Sequence, residues 1–394
     1  MPTTTLTRTR LMKAKRAFST RRVPAREMRT LVSGDIKPTS GNLVLATVRE
    51  LGKHRKIEKL NGRRAFMMPG DEILVCFGNR YAPDQFEALV SDDLGLCDLV
   101  AGGGIASREI NRHDRMLPPT KIMPLGLIGD CDGNPLNIKD YRIRFETENV
   151  SNTSAKVILV VGTAMNAGKT FTAASVIRGL GEAGYRVAGI KATGTGSGGD
   201  LWKMKDMGAD VIMDFTDAGF ASTYKIPDEE IESGVLGLIN QAAKRKCDYA
   251  VVEIADGLQH RETATLLRSK KLHSLVSGVV FAAYDSLGAR AGYQELRELG
   301  YPVIAISGQV TRSPLAMRES ATTSKCPIYT PFEIQAGALL PAITGFPEEA
   351  HPPRVEGYAD HSVVDFEPHQ EKSIHTRQAN AYDFKFPVFV DEGN

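Results

Sequence analysis

A chain of 394 residues with 42% hydrophobic, 24% charged and 7% aromatic residues is long enough for two or three hydrophobic cores and ordinary for a globular protein. Its formal charge of +2 does not mark it as a nucleic-acid binder, and no apolar run approaches the roughly 18 residues a membrane-spanning helix needs. Cys76, Cys97, Cys131, Cys247 and Cys326 are widely spaced with no C-x-x-C pair, which argues against a disulfide framework or zinc site and for reduced thiols in the cytoplasm.

Residues 1–40 read as a basic N-terminal arm. Within residues 8–29, Arg8, Arg10, Lys13, Lys15, Arg16, Arg21, Arg22, Arg26 and Arg29 stand against one acid, Glu27. Such a segment is expected to be a solvated, partly helical lead-in, an organelle transit peptide, or an arm that touches a partner.

Residues 41–145 read as a small β-rich, barrel-like domain. Apolar runs at 43–48, 65–68 and 73–77 are separated by the turn signals Asn61-Gly62 and Pro69-Gly70-Asp71. The run 98–101 enters a glycine cluster, Gly102-Gly103-Gly104, which suits a tight turn better than an anion site. Asp130 to Asn134 lacks the spacing of a calcium loop and reads as a turn. The polar stretch 145–155 marks a domain boundary.

From Lys156 to about residue 345 the rhythm changes. Strands are expected at 156–161, 186–191, 248–254, 275–283 and 302–307, with helices at 169–183, 200–208, 228–246 and 287–299. The alternation predicts an α/β domain, a parallel sheet flanked by helices with ligands at the carboxyl ends of its strands. Residues 346–394, rich in Pro, acids and His, are expected to form an extended tail with no metal-binding spacing.

Four segments fall at those strand ends. The first runs from Lys156 through Gly162 to Gly168-Lys169-Thr170: a strand, a loop rich in N–H donors and a helix start. There Lys169 is placed to reach the β/γ-phosphates and the Thr170 hydroxyl to ligate Mg²⁺. The first glycine lies one residue before the commonest position, which falls on Thr163. In the second segment Lys191 ends a strand, and a glycine- and hydroxyl-rich loop with Thr195 and Ser197 leads to Asp200. Lys191 suits phosphate or an acidic substrate, and Asp200 suits helix capping or metal ligation.

The third segment ends its strand with Glu253 and then Asp256, either of which suits Mg²⁺ beside the P-loop hydroxyl. Gln259, Arg261, Glu262 and Thr263 follow and suit substrate contact or a solvated loop equally. The fourth, Asp285 to Ala291, offers Ser286 and Gly288 at a helix start, for substrate or for capping alone.

Together these segments resemble the dethiobiotin synthetase-like group of P-loop proteins, over residues 156–335. Gly162-Thr163-Ala164-Met165-Asn166-Ala167-Gly168-Lys169-Thr170 is similar to its G-T-x-x-x-x-G-K-T loop, shifted glycine included. Lys191, Asp200, Glu253 and Ser286-Leu287-Gly288-Ala289 match its later segments.

The resemblance implies ATP and Mg²⁺ as cofactors. Thr170, Asp200 and Glu253 are then the metal ligands, and Lys169 and Lys191 the catalytic lysines. Gly162, Thr163, Asn166, Ala167, Gly168, Lys169, Thr170 and Phe171 line the nucleotide, with Gln309 near the base. Thr195, Ser197, Arg261, Ser286 and Gly288 face a small acidic substrate, and the assembly is a homodimer or higher homo-oligomer. The absence of N-K-x-D favours ATP over GTP.

The run Ile254-Ala255-Asp256-Gly257 departs from the family, whose glutamate is followed directly by glycine, and the barrel-like domain has no counterpart there. The expected activity is activation of a small carboxylate or carbamate by phosphoryl transfer, followed by C–N bond formation. A nucleotide-driven switch that delivers a metal or cofactor to a protein partner is an alternative. An acyltransferase that uses the loop for a coenzyme A-type ligand is another.

Overall fold

The computed structural model describes residues 2–144 and 154–345. The expected tail 346–394 and most of the boundary stretch 145–155 lie outside the described residues.

The first domain is built on a closed ring of five strands. Leu43–Glu50 pairs with Glu72–Phe77, which pairs with Ile105–Arg112, then Cys97–Ala101, then Thr120–Gly129, which returns to Leu43–Glu50. One contact in the ring is parallel, Glu72–Phe77 with Ile105–Arg112, and the other four are antiparallel. Leu45, Leu74, Val100 and Ile128 fill one apolar cluster and Val44, Val75, Leu99 and Leu127 another, so neighbouring residues of one strand serve both faces. The Asn61-Gly62 signal holds: Lys56–Glu58 and Arg64–Phe66 pair antiparallel around Gly62, whose φ is +80°.

The basic segment 1–40 is not a solvated arm. Thr3–Thr5 pairs with Thr30–Val32, which pairs with Thr120–Gly129, and Lys15–Arg16 lies parallel to Glu72–Phe77. Several of its cations are neutralised by acids distant in sequence. Arg10 forks onto Glu72 at 2.6–3.1 Å, Lys15 pairs with Asp71, and Arg21 reaches Asp214 and Asp217 at 2.8 and 2.7 Å. Local composition could not show this, because every one of those partners lies outside the segment.

The second domain is a six-stranded parallel sheet in the order Val211–Asp214, Val187–Lys191, Tyr249–Glu253, Lys156–Gly162, Val276–Ala282, Val303–Ser307. Helices Lys169–Glu182, Gly199–Asp206, Asp228–Lys244 and Ser286–Glu298 stand where they are expected. The strand carrying the loop lies in the middle, and both of its faces are apolar. Val157, Leu159 and Val161 enter one core cluster while Ile158 and Val160 enter the other. The edge strand Val211–Asp214 is an addition to the expected set.

The two domains meet closely. A Cβ on Gly103 would lie 2.2 Å from the Gly196 carbonyl oxygen and 2.6 Å from the Ser197 Cα. The glycine cluster is therefore a place where two backbones touch, between the first domain and the loop that follows Lys191. Gly103→Ala should cost about 1–3 kcal/mol, since only backbone movement relieves the clash; a lowered denaturant midpoint checks it.

Candidate nucleotide site

The sheet register sets the site. Val160 on the loop strand and Lys191 on its far neighbour both lie opposite Glu253, and Gly162 lies opposite Ala282. The loop then turns over the strand ends. Gly162 admits no side chain, because a Cβ there would meet the Ala282 carbonyl at 2.6 Å and the Lys169 Cγ at 2.9 Å. The shifted glycine thus makes room for the lysine stem. Asn166 and Gly168 take left-handed backbone conformations at φ +64° and +96°, and Gly168 starts the helix Lys169–Glu182. The loop's N–H groups and that helix N-terminus form a nest shaped for phosphate.

Lys169 is buried and folds back to donate to the Ala164 carbonyl at 2.7 Å. Burial, with Lys191 nearby, lowers its ammonium to about 8.

Thr170, Asp200 and Glu253 come together as expected. The Thr170 hydroxyl lies 3.1 Å from an Asp200 oxygen and 2.9 Å from Glu253 Oε1. Lys191 joins them, its Nζ 2.7 Å from Asp200 and 2.6 Å from Glu253. Burial alone would lower Lys191, but the two carboxylates outweigh it and hold the ammonium above the usual lysine range. Burial pushes Glu253 up. At Asp200 burial acts the same way, but the charge and hydrogen bond of Lys191 outweigh it and bring the carboxyl down.

The donor set fits Mg²⁺. It offers hard oxygens, and Glu253 Oε2 is buried without a hydrogen-bond partner. Among the described residues no group of three or more His, Cys, Asp or Glu side chains is placed to hold a metal. From this chain a cation here would draw on two carboxylates and one hydroxyl, with any further ligands coming from nucleotide or solvent.

Asp256 takes a different place from Glu253. It sits at φ +59°, and the next residue, Gly257, lies against the Thr163 carbonyl, 2.2 Å from where a Cβ would stand. The Asp256 carboxylate lies 3.9 Å from His260 Nδ1. Burial raises Asp256 and lowers His260, and it raises Glu262 to about 7 with help from the charge of Asp256.

Tyr81 of the first domain stacks on His260, with ring centroids 4.3 Å apart, and Tyr224 lies 5.3 Å from Tyr81. Between the antiparallel strands Arg80–Tyr81 and Phe86–Leu89, Asp84 accepts a hydrogen bond from Asn166 of the loop. Sequence reasoning missed this wall. Asp256-Gly257 carried a turn signal, but nothing local ties Tyr81 or Asp84 to residues so far along the chain.

The remaining expected residues lie as follows. Thr163 accepts from the Tyr284 N–H at 3.1 Å, and Gly288 packs on its methyl group. The Gln309 N–H donates to the Ala167 carbonyl at 2.9 Å, beside the loop. Phe171 meets Phe332 edge-on at 6.2 Å. Thr195 bridges to Ser222, and Ser197 donates to Glu58 at 3.5 Å. Ser286 donates to Glu319, while Asp285 caps that helix by accepting from the Gly288 N–H at 2.7 Å. Arg261 extends an exposed guanidinium to Asp228 at 3.3 Å.

This is a P-loop nucleoside-triphosphatase fold. A central parallel strand, a phosphate-shaped loop before a helix, and an acid closing the adjacent strand establish it. No family model matches the chain, and no curated protein matches it.

Among solved structures, a DUF1611 family protein from Anabaena variabilis is 14% identical over 53% of this chain and 64% of its own, with a TM-score of 0.39. The signal recognition particle receptor FtsY from Elizabethkingia anophelis is 17% identical over 41% and 52%, with a TM-score of 0.29. The 54 kDa signal recognition particle protein from Aeropyrum pernix is 18% identical over 51% and 50%, with a TM-score of 0.31. The chain spans between half and two thirds of these proteins' lengths. Among the described residues no helix is long and apolar enough to cross a membrane.

Proposed function

We propose that the chain is an Mg²⁺- and ATP-dependent enzyme of the dethiobiotin synthetase-like kind, activating a small carboxylate or carbamate for C–N bond formation. The observation that carries this reading is the meeting of Thr170, Asp200, Glu253 and Lys191 within 2.6–3.1 Å at the strand ends beside the loop.

Thr170, Asp200 and Glu253 would hold Mg²⁺, which would supply charge neutralisation to the phosphates when bound. Lys169 leaves the Ala164 carbonyl for the phosphates, and Lys191 supplies positive charge next to them. A substrate carboxylate oxygen attacks the γ-phosphorus, the bond to the bridging oxygen breaks, and ADP leaves. The amine nitrogen then attacks the acyl carbon and phosphate departs. The amine's proton passes to the cluster of Asp256, His260 and Glu262, where a group near 7 is suited to accept it. Positioning and charge carry most of the rate.

Buried links between the domains, Arg21 to Asp214 and Asp217 among them, favour the first domain as a fixed wall of the site over a docking module for a switch.

Hydroxylamine tests the reaction, because it captures acyl phosphates as hydroxamates. The full chain with Mg²⁺, ATP and a panel of small carboxylates should give hydroxamate and ADP in equal amounts. ATP consumption without hydroxamate for any acid would overturn the carboxylate reading. Coenzyme A binding in place of ATP binding would move the site to acyl transfer.

A further inference from the structure

The helix Gly199–Asp206 carries Asp200 in its first turn, and it begins at Gly198 with no side-chain cap of its own. The missing cap comes from the other domain. Glu58, which ends a strand of the Asn61-Gly62 hairpin, is 3% exposed. Its Oε2 accepts from the Gly198 N–H at 2.9 Å, and its Oε1 accepts from Trp202 Nε1 at 2.7 Å. Burial raises this carboxyl above its ordinary range, and the bonds from Gly198 and Trp202 pull it back toward ionisation.

The fit is close on every side. A Cβ on Gly198 would stand 2.3 Å from Glu58 Oε1, and one on Gly62 would stand 2.6 Å from Trp202 Nε1. Phe18 meets the indole edge-on at 6.2 Å. Glu58 is itself fixed, since its N–H donates to the Gly102 carbonyl at 2.8 Å. A carboxylate at a helix N-terminus both satisfies orphan N–H groups and complements the helix dipole. Here it also fixes where the helix starts, and so where Asp200 stands relative to Thr170 and Lys191.

We infer that Glu58 is a positioning residue: by capping the helix from the first domain it holds Asp200 at the Mg²⁺ side of the loop and couples that domain to Mg²⁺–nucleotide binding. The inference rests on the proposed reading for its Mg²⁺ role. Trp202, the single tryptophan of the chain, is bonded to Glu58 and lies two residues from Asp200, so its emission reports on both.

The test is a titration of the full chain with Mg²⁺, with and without ATP, followed by Trp202 emission and by nucleotide turnover. Glu58→Ala should weaken the apparent Mg²⁺ affinity about tenfold, the size of one lost charge-assisted bond. ATP affinity measured in EDTA should stay within about twofold, because Lys169 and the loop amides are untouched. Glu58→Gln, whose one carbonyl oxygen can keep the bond from the Gly198 N–H but not also that from Trp202, should recover part of the affinity. On an Asp200→Ala background, Glu58→Ala should have no further effect on Mg²⁺.

Unchanged Mg²⁺ affinity in Glu58→Ala overturns the inference. So does an equal loss of ATP affinity in EDTA, or additive effects in the double variant. If the wild-type chain does not bind ATP, the proposed reaction falls, and the titration with Mg²⁺ alone still decides the role of Glu58. Normal ATP binding with no effect of Glu58 on Mg²⁺ sinks the inference and leaves the reaction standing.

Discussion

Lys169→Ala should lower nucleotide turnover by about 10²–10³-fold, the usual effect of losing one preorganised donor to developing charge. The fold should survive. Lys169 is a desolvated ammonium whose one described bond is to the Ala164 carbonyl, and burial has already lowered it to about 8. Removing a desolvated buried charge costs little stability, so a thermal melt should move by a few degrees at most. Turnover within about threefold of wild type would remove the loop from the chemistry. A collapsed melt would instead show that the lysine holds the loop together.

Arg21→Ala should have the largest effect on stability, about 3–5 kcal/mol, since it breaks a buried ionic network by removing one partner. The guanidinium bonds Asp214 at 2.8 Å, Asp217 at 2.7 Å and the Thr216 hydroxyl, and stacks 4.1 Å above the Phe18 ring. Its loss leaves Asp214 without a cation, its Oδ2 already buried and unpartnered, and leaves Asp217 only the longer contact with Arg22 at 3.6 Å.

The pH dependence has a definite sign. Burial raises Asp217, and Arg21 opposes that rise. Without Arg21 the folded carboxyl moves higher still above its unfolded value. Its penalty is then full above the folded pKa and fades as pH falls toward the unfolded one. The gap in denaturant midpoint between variant and wild type should therefore be widest at neutral pH and close on acidification.

Much of the second domain is legible because parallel strands buried on both faces are continuous apolar runs. Glu253 and Lys191 stand out where two of those runs stop at a charge. The edge strand Val211–Asp214 does not, being four residues long with a neighbour on one side only. Spacing leaves Glu253 and Asp256 open and only the resemblance picks Glu253; the contact of Glu253 with the Thr170 hydroxyl is a matter of register, which no spacing reveals. Nor can sequence show what crosses between domains. Glu58, Tyr81 and Asp84 are ordinary residues of β-hairpins until folding sets them against Gly198, His260 and Asn166, and the basic start of the chain reads as an arm until its acids are seen.

The placement of that basic start has a practical consequence for anyone trimming the protein. Starting the chain at residue 41 would strip Thr3–Thr5 and Thr30–Val32 from Thr120–Gly129, baring a row of ladder hydrogen-bonding groups. It would also orphan Glu72, Asp71, Asp214 and Asp217 at once. A bared strand edge invites pairing between molecules, so the shortened protein should aggregate rather than behave as a tidier version of the same fold.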